Sequence, residues 1–251
     1  MHSLATRQLA RSLADEGLSV SDIARRLGVP QPTVHRWTHS ELATDRDPPQ
    51  PCLRCDEVRT DSSYSRAYSY VLGQYLGDGH LVTTSRTPVL RVTVALCYPE
   101  IAEALVRSMA TVRGRAPGRV KLPSTGAAVN LQSYWMHWPC LLPQHGAGRK
   151  HERPIHLEPW QRELVEAEPW SLLRGLFHSD GCRAINTIRH ARATYQYPRY
   201  LFSNESTDIR DIFTETLDQV GVRWRRCRPN LVAVSRRADV QILEEHLGPK
   251  T

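Results

Sequence analysis

Long apolar runs are missing from this chain, and its cysteines are few and scattered. No window approaches the roughly 18 consecutive apolar residues that a membrane-spanning helix needs, and the N-terminus lacks the apolar core of a secretory signal peptide. The cysteines are not spaced as in a disulfide framework: Cys52, Cys55, Cys97, Cys140, Cys182 and Cys227. We therefore expect reduced thiols, a cytoplasmic location and no membrane partner.

Lysine is also scarce, although the chain is strongly basic. Its 251 residues include 33 Lys and Arg against 26 Asp and Glu, a formal net charge of +7, and almost all of the cations are Arg. The planar guanidinium forms paired hydrogen bonds with phosphate and guanine, so nucleic acid is the first partner to consider. The alternative is a basic surface that only reflects a genome rich in G and C, where Arg codons are common.

The first forty residues are predicted to form a helical domain of their own, residues 1–40. The segment Ser21–Trp37 (SDIARRLGVPQPTVHRW) resembles the helix-turn-helix of resolvases and many bacterial regulators. In that motif the last helix enters the major groove of DNA. The resemblance nominates four DNA contacts: Gln31, Thr33, His35 and Arg36. It also implies a small core of Ala24, Leu27, Val34 and Trp37. A three-helix cap without DNA contacts is the alternative.

Residues 41–62 are predicted to form a linker. The run Asp47–Pro51 (DPPQP) cannot continue a helix and should be extended. The linker contains Cys52 and Cys55, whose spacing is that of half a zinc knuckle. His137 and Cys140 could complete a structural Zn²⁺ site in space, and two ordinary thiols are the alternative.

Two segments about a hundred residues apart carry one pattern. Tyr70–Gly79 (YVLGQYLGDG) and Leu172–Gly181 (LLRGLFHSDG) are apolar helical runs, each with a central Gly and a final Asp-Gly. A common order of strands and helices is predicted after each run, with strands in the first copy near residues 81–84, 90–96, 118–122 and 127–134. The copies even end alike, at His145–Lys150 and His246–Lys250. We therefore predict an internal duplication, with repeats at residues 63–157 and 158–251.

On these two motifs the chain resembles the LAGLIDADG (dodecapeptide, DOD-type) homing endonucleases, over roughly residues 64–251. The resemblance implies a pseudo-symmetric α/β (α+β) fold with two antiparallel sheets shaped as a saddle, here preceded by the small all-α helix-turn-helix domain. The motif helices pack side by side, and small residues let their backbones approach. Gly73 and Gly175 suit the crossing, and Gly77 and Ser179 give further clearance next to the site.

In that arrangement Asp78 and Asp180 come together at the ends of two helices. The helix dipole is negative there and the carboxylates repel, so a divalent cation would stabilise the pair. We expect the cation to be Mg²⁺, held at Asp78, Asp180, Gly77 and Ser179. Without metal, one Asp should take up a proton at raised pH. The resemblance makes both acids catalytic in the hydrolysis of a DNA phosphodiester, with each active site cutting one strand.

A basic side chain usually assists in this family, and four candidates are considered: Lys121, Lys150, Arg226 and Arg228.

The sheets would read double-stranded DNA with one face, because the side chains of a strand alternate between its two faces. The predicted contacts in the first repeat are Arg91, Thr93, Asn130 and Gln132, of which the last two could read adenine. Those in the second repeat are Arg183, Arg189, Arg192 and Arg199.

Two functions that act on DNA are considered first, ahead of a pure scaffold or an enzyme that acts on something other than nucleic acid. The first is a Mg²⁺-dependent, site-specific endonuclease that cuts as a monomer, with dimerisation possible through the helix-turn-helix. The second is a DNA-binding regulator that does not cleave, because a helix-turn-helix before this scaffold resembles bacterial regulators that use a LAGLIDADG domain for binding only. Such regulators have typically lost the acids, whereas Asp78 and Asp180 are both present. Either function implies association with the nucleoid.

Overall fold

The computed structural model describes residues 4–39, 61–84, 86–114, 124–189, 194–248 and 250, and the chain divides into two compact units, Met1–Pro51 and Cys52–Thr251. The linker residues 41–60, with Cys52 and Cys55, therefore lie outside the described residues, as do Lys121, Arg192 and the predicted strand near 118–122. None of the described helices is long and apolar enough to cross a membrane.

The N-terminal unit contains three helices: α1 (Leu4–Asp15), α2 (Val20–Leu27) and α3 (Gln31–His39). Ser19 caps α2 by accepting a hydrogen bond from the backbone N–H of Asp22, and Gly28 ends the helix with a left-handed φ of 64°. Val34 and Trp37 are buried as predicted, whereas Ala24 and Leu27 are only partly buried. The buried core also contains Ala10, Leu13, Ile23 and Val29.

The second unit contains the two repeats. The first consists of α4 (Ser62–Leu76), β1 (Gly79–Val82), β2 (Val89–Ala95), α5 (Pro99–Arg113), β3 (Ser124–Thr125), β4 (Ala128–Tyr134) and α6 (Trp138–Leu141). The second consists of α7 (Pro159–Ala167), α8 (Pro169–Asp180), β5 (Gly181–Arg189), β6 (Thr194–Ser203), α9 (Thr207–Gln219), β7 (Arg225–Arg228), β8 (Leu231–Val234) and α10 (Arg237–His246). Helix α7 was not predicted from the repeat pattern.

The two sheets share one topology. Their strand orders are β1-β2-β4-β3 and β5-β6-β8-β7, and all neighbouring strands are antiparallel. In each sheet the second strand of the repeat pairs with the fourth, and a helix, α5 or α9, connects the second strand to the third. This repetition of order and pairing confirms the predicted fold class, a duplicated α/β domain with two antiparallel sheets, preceded in the sequence by a small helical unit.

The core lies between the motif helices and the inner faces of the sheets. Helix α4 is buried along almost its whole length, and α8 is buried from Leu172 to His178 except at Arg174. One continuous apolar cluster joins both helices to both sheets. On β2 the burial alternates, with Leu90, Val92 and Val94 buried and Arg91 and Thr93 exposed. The face of each sheet that does not pack on the helices is called its outer face below.

Candidate active site

The two motif helices touch through their backbones at Gly73 and Gly175. A Cβ atom on Gly73 would lie 2.7 Å from the carbonyl oxygen of Leu172, and one on Gly175 would lie 2.4 Å from that of Tyr70. Real Cβ atoms do not come this close to backbone atoms, and the backbone of a packed helix cannot easily move away. The crossing of α4 and α8 therefore requires glycine at both positions.

This crossing brings the carboxylate ends of the helices together. Asp78 lies in the turn after α4, and Asp180 is the last residue of α8. A Cβ atom on Gly77 would lie 2.1 Å from Ser179 Oγ and 2.8 Å from Asp180 Oδ2, so the end of α4 lies directly against Ser179 and Asp180. The hydroxyl of Ser179 donates within its own helix, to the carbonyl oxygens of Leu176 at 2.9 Å and Gly175 at 3.2 Å.

Two lysines bind equivalent positions of the two helices. Lys150 Nζ donates to the carbonyl oxygen of Gly77 at 2.9 Å, and Lys250 Nζ donates to that of Ser179 at 2.9 Å. Gly77 and Ser179 are the residues immediately before the two Asp residues. Lys150 also donates to the carbonyl oxygens of Tyr75 and Leu76. Each ammonium group thus binds carbonyls at the negative end of a motif helix, beside the carboxylates.

The same lysines lie over aromatic rings that also correspond in the two motifs. Lys150 Nζ is 4.8 Å from the ring centroid of Tyr75, and Lys250 Nζ is 5.8 Å from that of Phe177. Tyr75 and Phe177 occupy the same position of the repeated pattern, three residues before the Asp. Each ammonium group therefore has an aromatic ring and a motif-helix carbonyl as neighbours, and both carboxylates are close enough to favour its charged form.

The acids and lysines shift the pKa values of one another within a partly desolvated site. Burial raises the pKa of Asp180 to about 6; a hydrogen bond from Asn204 opposes this shift, neighbouring Asp78 adds to it, and the two lysines oppose it. Asp78 is more exposed, yet desolvation still raises its pKa, against the two lysines. The pKa is therefore raised at both acids, with burial as the main cause at each, and repulsion by Asp78 adds to the shift at Asp180.

The pKa values of the two lysines shift in the opposite direction, downwards. Burial lowers the pKa of Lys150 to about 8, although Asp180 and Asp78 favour its charged form. Burial also lowers the pKa of Lys250, again against both acids. All four groups therefore have pKa values closer to neutral pH than usual, which is typical of groups that exchange protons in catalysis.

Asn204 and Lys250 belong to this site and were not among the predicted residues. Asn204 Nδ2 donates to Asp180 Oδ2 at 2.6 Å, and a pocket of about 400 Å³ beside Asp180 is lined by Lys150, Asn204 and Glu205 among others. The matching ends of the two repeats, at Lys150 and Lys250, were the signal that could have identified Lys250. In addition, these are two of only three lysines in the chain.

The other proposed basic assistants lie elsewhere. Arg226 forms an ion pair with Asp211 of α9 at 3.7 Å, on the helix side of the second sheet. Arg228 lines a pocket with Arg199 and Arg225, away from the residues that surround Asp180. Both arginines lie on β7, whereas the lysines that reach the carboxylates, Lys150 and Lys250, follow α6 and α10 in the sequence.

A buried polar cluster lies behind the carboxylates in the helix interface. Tyr70 Oη is 2.9 Å from His178 Nδ1 and accepts a hydrogen bond from Gln74 Nε2 at 3.1 Å. Burial lowers the pKa of His178 to about 3, so its imidazole is neutral at physiological pH. The position occupied by His178 in the second motif is Leu76 in the first, and the side chain there fills the interface in both.

In the first sheet the predicted DNA contacts share the outer face. Arg91 pairs across the strands with Gln132, and Thr93 pairs with Asn130. Arg91 and Thr93 are exposed, and both amides are partly exposed. The four side chains therefore form one continuous polar surface.

In the second sheet the predicted contacts are divided between faces. Arg183 lies opposite the buried Tyr200, and its guanidinium binds Glu244 of α10 at 2.5 Å, so Arg183 faces the helices rather than the outer surface. Arg189 is exposed near the end of the β5–β6 hairpin, and Arg199 lies on the outer face opposite Ala184. Alternation along β5 and β6 thus places Arg183 and Arg199 on opposite faces of the sheet, and a contact of Arg183 with DNA through the outer face does not fit this placement.

In the N-terminal unit the nominated residues begin α3. Gln31 and His35 are exposed and Thr33 is partly exposed, whereas the side chain of Arg36 lies outside the described residues. Gln31 Nε2 donates to Ser21 Oγ at 3.1 Å, and the ring of His35 stacks on that of His39 at 4.2 Å. A polar surface on the first turns of α3 is the arrangement that a recognition helix requires.

The donor set at the carboxylates fits a hard divalent ion that keeps most of its waters. Among the residues that the structure describes, no group of three or more His, Cys, Asp or Glu side chains could hold a metal ion. Mg²⁺ is commonly bound through one or two carboxylates together with waters and phosphate oxygens. Asp78 and Asp180 supply two such carboxylates beside an open pocket, so these residues fit Mg²⁺ in the presence of a phosphate ligand.

Comparison with known proteins begins with the N-terminal unit. Residues 1–41 match a family model described as a homeodomain-like domain, the broad class that contains helix-turn-helix units. None of the curated proteins matches the chain.

The solved structures similar to this chain are homing endonucleases and LAGLIDADG domains, the family that the two motifs resemble. Mesophilic variants of the homing endonuclease I-DmoI show 12% identity and a TM-score of 0.42, over 74% of this chain and 97% of that chain. The N-terminal LAGLIDADG domain of DUF199/WhiA shows 12% identity and a TM-score of 0.46, over 75% and 83%. I-SmaMI bound to cleaved DNA shows 10% identity and a TM-score of 0.46, over 72% and 83%. Identities of this size describe a likeness in fold alone.

Proposed function

We propose that this protein is a metal-dependent, site-specific endonuclease that acts on double-stranded DNA. One observation supports the proposal above the others: two carboxylates from equivalent helices share one site, and each helix end also binds a lysine beside the shared acids. A structural role does not account for two partly buried acids with raised pKa values at the negative ends of two helices. Hydrolysis of a phosphodiester requires this combination of oxygen ligands and cations.

Each residue of the carboxylate site would have a separate role in the proposed reaction. Asp78 and Asp180 would hold Mg²⁺, which when bound activates water and stabilises the departing 3′ oxygen. Lys150 and Lys250 place positive charge where a phosphate would approach, and a pKa of about 8 lets Lys150 Nζ lose or hold a proton near neutral pH. Asn204 holds one oxygen of Asp180 in place. Gly73 and Gly175 keep the two helix ends close enough for one shared site.

The outer faces of the sheets would hold the DNA. Arg91 and its neighbours on the first sheet, and Arg199 on the second, supply hydrogen-bond donors on exposed strand surfaces. A duplicated fold in one chain supplies both half-sites, so cleavage would need only a monomer. The helix-turn-helix would add a second contact with DNA and could bring two chains together on paired half-sites.

The test is cleavage of a DNA library by the full-length protein with Mg²⁺, followed by sequencing of the new ends. We expect staggered double-strand breaks at one sequence. Asp78→Asn should slow cleavage roughly 100- to 1,000-fold, since a metal contact contributes several kcal/mol to the transition state. Asp211→Asn is the matched control, because it removes an exposed carboxylate that pairs with Arg226 instead. No cutting by the unaltered protein, or equal cutting by Asp78→Asn, would refute the proposal.

The second candidate is a regulator that binds an operator without cutting it. The homeodomain-like match over residues 1–41 favours it, because a helix-turn-helix unit would bind DNA without help from the carboxylate site. This function predicts specific binding without divalent metal and unchanged affinity when both Asp78 and Asp180 are replaced by Asn. The same cleavage assay separates the two candidates.

A further inference from the structure

The outer face of the first sheet presents two amide side chains in fixed positions. Asn130 Oδ1 accepts a hydrogen bond from Thr93 Oγ1 at 2.8 Å, and Gln132 Oε1 accepts one from Tyr134 Oη at 3.1 Å. In the described part of the chain neither amide nitrogen has a hydrogen-bond partner. Each amide is therefore oriented by its carbonyl and presents its N–H groups outward.

These amides match the edge of adenine. An Asn or Gln amide combines an acceptor with a donor, which pairs with N6 and N7 of adenine in the major groove. Asn130 and Gln132 are two residues apart on β4, so they lie about 6.7 Å apart along the strand, close to two base-pair steps of about 3.4 Å. The first sheet can thus address two nearby base pairs with the same chemistry.

The outer face of the second sheet carries different chemistry. Arg199, Arg225 and Arg228 line a pocket of about 390 Å³ together with Leu201, Leu231, Cys227 and Arg226. Of these arginines only Arg226 has an acidic partner among the described residues, Asp211. Register places Arg225 beside Ala233 and Leu201, and Arg228 beside Leu231 and Ser203, so these side chains share the outer face with Arg199. Within the described residues none of these three arginines has an ion-pair partner.

The arginines of this sheet are divided by face. Those directed towards the helices are neutralised, because Arg183 binds Glu244 and Arg226 binds Asp211. Those on the outer face are not neutralised, and the Nε of Arg199 is buried without a hydrogen-bond partner among the described residues. A buried donor without an acceptor is unfavourable, so a ligand that supplies hydrogen-bond acceptors would suit this surface.

Guanine is the base whose edge supplies two hydrogen-bond acceptors for a guanidinium group. Its O6 and N7 accept the paired hydrogen bonds of a guanidinium in the major groove, the commonest specific contact between protein and DNA. We infer that the two sheets read chemically different halves of the target: an adenine-containing half through Asn130 and Gln132, and a guanine-containing half through Arg199, Arg225 and Arg228. This inference rests on the proposed binding of DNA by the outer faces.

The experiment is selection of bound DNA from a randomised double-stranded library by the full-length protein with a metal chelator present, so that nothing is cut. We expect a motif with adenine enriched in one half and guanine in the other. Motif positions that change when Thr33 and His35 are replaced by Ala belong to the helix-turn-helix and are set aside. The remaining positions are assigned to the sheets.

Matched variants then assign each half. Asn130→Ala should reduce discrimination at one adenine by roughly 5- to 150-fold and leave the guanine half unchanged. Arg228→Gln should do the same at one guanine. Arg183→Gln is the control on the same sheet, because Arg183 faces the helices, binds Glu244 and does not line the pocket, and it should leave the motif unchanged.

Several outcomes would overturn the inference. One is a motif whose two halves do not differ in adenine and guanine content. Another is an Arg228→Gln variant that weakens binding equally for all sequences and lowers the salt slope by about 1, which is the behaviour of a phosphate contact. Either result leaves the proposed endonuclease standing if the unaltered protein cuts with Mg²⁺. Failure to select any sheet-dependent motif, together with failure to cut, would refute both.

Discussion

At the scale of single residues, the site consists of two acids and two lysines whose charges depend on one another. Asp180 and Lys150 have pKa values of about 6 and about 8, so both titrate within two pH units of neutrality. Each acid is desolvated and also lies near the negative end of a helix, which disfavours its charged form. The lysines reduce this destabilisation, and a bound divalent cation would reduce it further.

The stability of the protein should therefore depend on the charge of Asp180. Its folded pKa of about 6 lies above the unfolded value of about 3.9, so the folded state binds the proton more tightly. Stability should fall as pH rises from about 4 through 6 and stay lower above that range. Asp180→Asn cannot ionise, so at pH 8 it should be more stable than the unaltered protein by about 1–2 kcal/mol, with little difference at pH 3.5.

Thermal unfolding at several pH values measures this difference. Asp211→Asn, which removes an exposed carboxylate, should show no comparable gain at pH 8. Addition of Mg²⁺ should raise the melting temperature of the unaltered protein more than that of Asp180→Asn, since binding to the folded state alone stabilises it. A variant that is less stable than the unaltered protein at pH 8 would contradict the assignment of a raised pKa to Asp180.

The two lysines allow each half of the site to be tested separately. If each active site cuts one strand, Lys250→Met should slow cleavage of one strand about 100-fold, a typical contribution of proton transfer, and leave the other nearly unchanged. Lys150→Met should have the same effect on the opposite strand. Strand-specific labels on a denaturing gel give both rates. Equal slowing of both strands by either variant would show that the lysines do not serve separate halves.

The sequence was sufficient to identify the two carboxylates of the site, but not all of the lysine and asparagine side chains around them. Asp78 and Asp180 follow from an exact match in spacing, whereas the segment from His246 to Lys250 is one residue shorter than that from His145 to Lys150. The ammonium groups are placed by the carbonyls of Gly77 and Ser179, not by a fixed count along the chain. Asn204 was missed because its equivalent after β2 is Leu96, which forms the same type of backbone bond but carries no polar group.

At the scale of elements, the alternation of apolar and polar residues identified the outer face of the first sheet. In the second sheet it identified that face only in part. On β2 and β4 apolar and polar residues alternate over a buried inner face, so the outer residues were identified correctly. Most of β5 and the first half of β6 are exposed on both faces, because this hairpin extends beyond its pairing with β8 at Tyr200–Ser203. Because most of this hairpin has no buried face, its sequence shows no consistent alternation of apolar and polar residues. The sequence therefore could not show that Arg183 and Arg199 lie on opposite faces of the second sheet.

The close crossing of α4 and α8 predicts that a larger residue at Gly175 destabilises the protein. Gly175→Ala would place a methyl group against the carbonyl of Tyr70, and both backbones belong to buried helices. We expect a loss of stability of about 1–3 kcal/mol or more, because overpacking a well-packed core forces backbone shifts. Cleavage should fall as well, since separation of the helices also separates Asp78 from Asp180.

The matched control is Gly146→Ala. Its Cβ would meet only the flexible side chain of Arg153, at 3.2 Å, so the stability should change by less than about 0.5 kcal/mol. Thermal or denaturant unfolding of both variants provides the comparison. Equal stability of Gly175→Ala and the unaltered protein would mean that the helices can move apart freely, which the close backbone contact does not allow.

At the scale of the whole molecule, the chain joins two compact units, and each has a surface that we propose binds DNA. The first has an exposed polar surface on α3 and a homeodomain-like match, and the second has the outer faces of its two sheets. Composition predicted the partner for both, because the excess of arginine suits phosphate and guanine contacts. Composition alone could not assign separate tasks to the units, since both would bind DNA with the same types of side chain.

Replacing Gln31, Thr33 and His35 together by Ala in the full-length protein tests how the tasks are shared. If the second unit selects and cuts the target, the triple variant should bind the target more weakly, by about 10-fold or more, because base contacts on α3 are lost. It should nevertheless cut the same sequence at the same rate once the protein is saturating. Affinity is measured by titration of labelled target with a chelator present, and the rate by single-turnover cleavage with Mg²⁺. Loss of all specific binding in the triple variant, with full binding retained by Asp78→Asn and Asp180→Asn together, would instead assign recognition to α3 and identify the protein as a regulator.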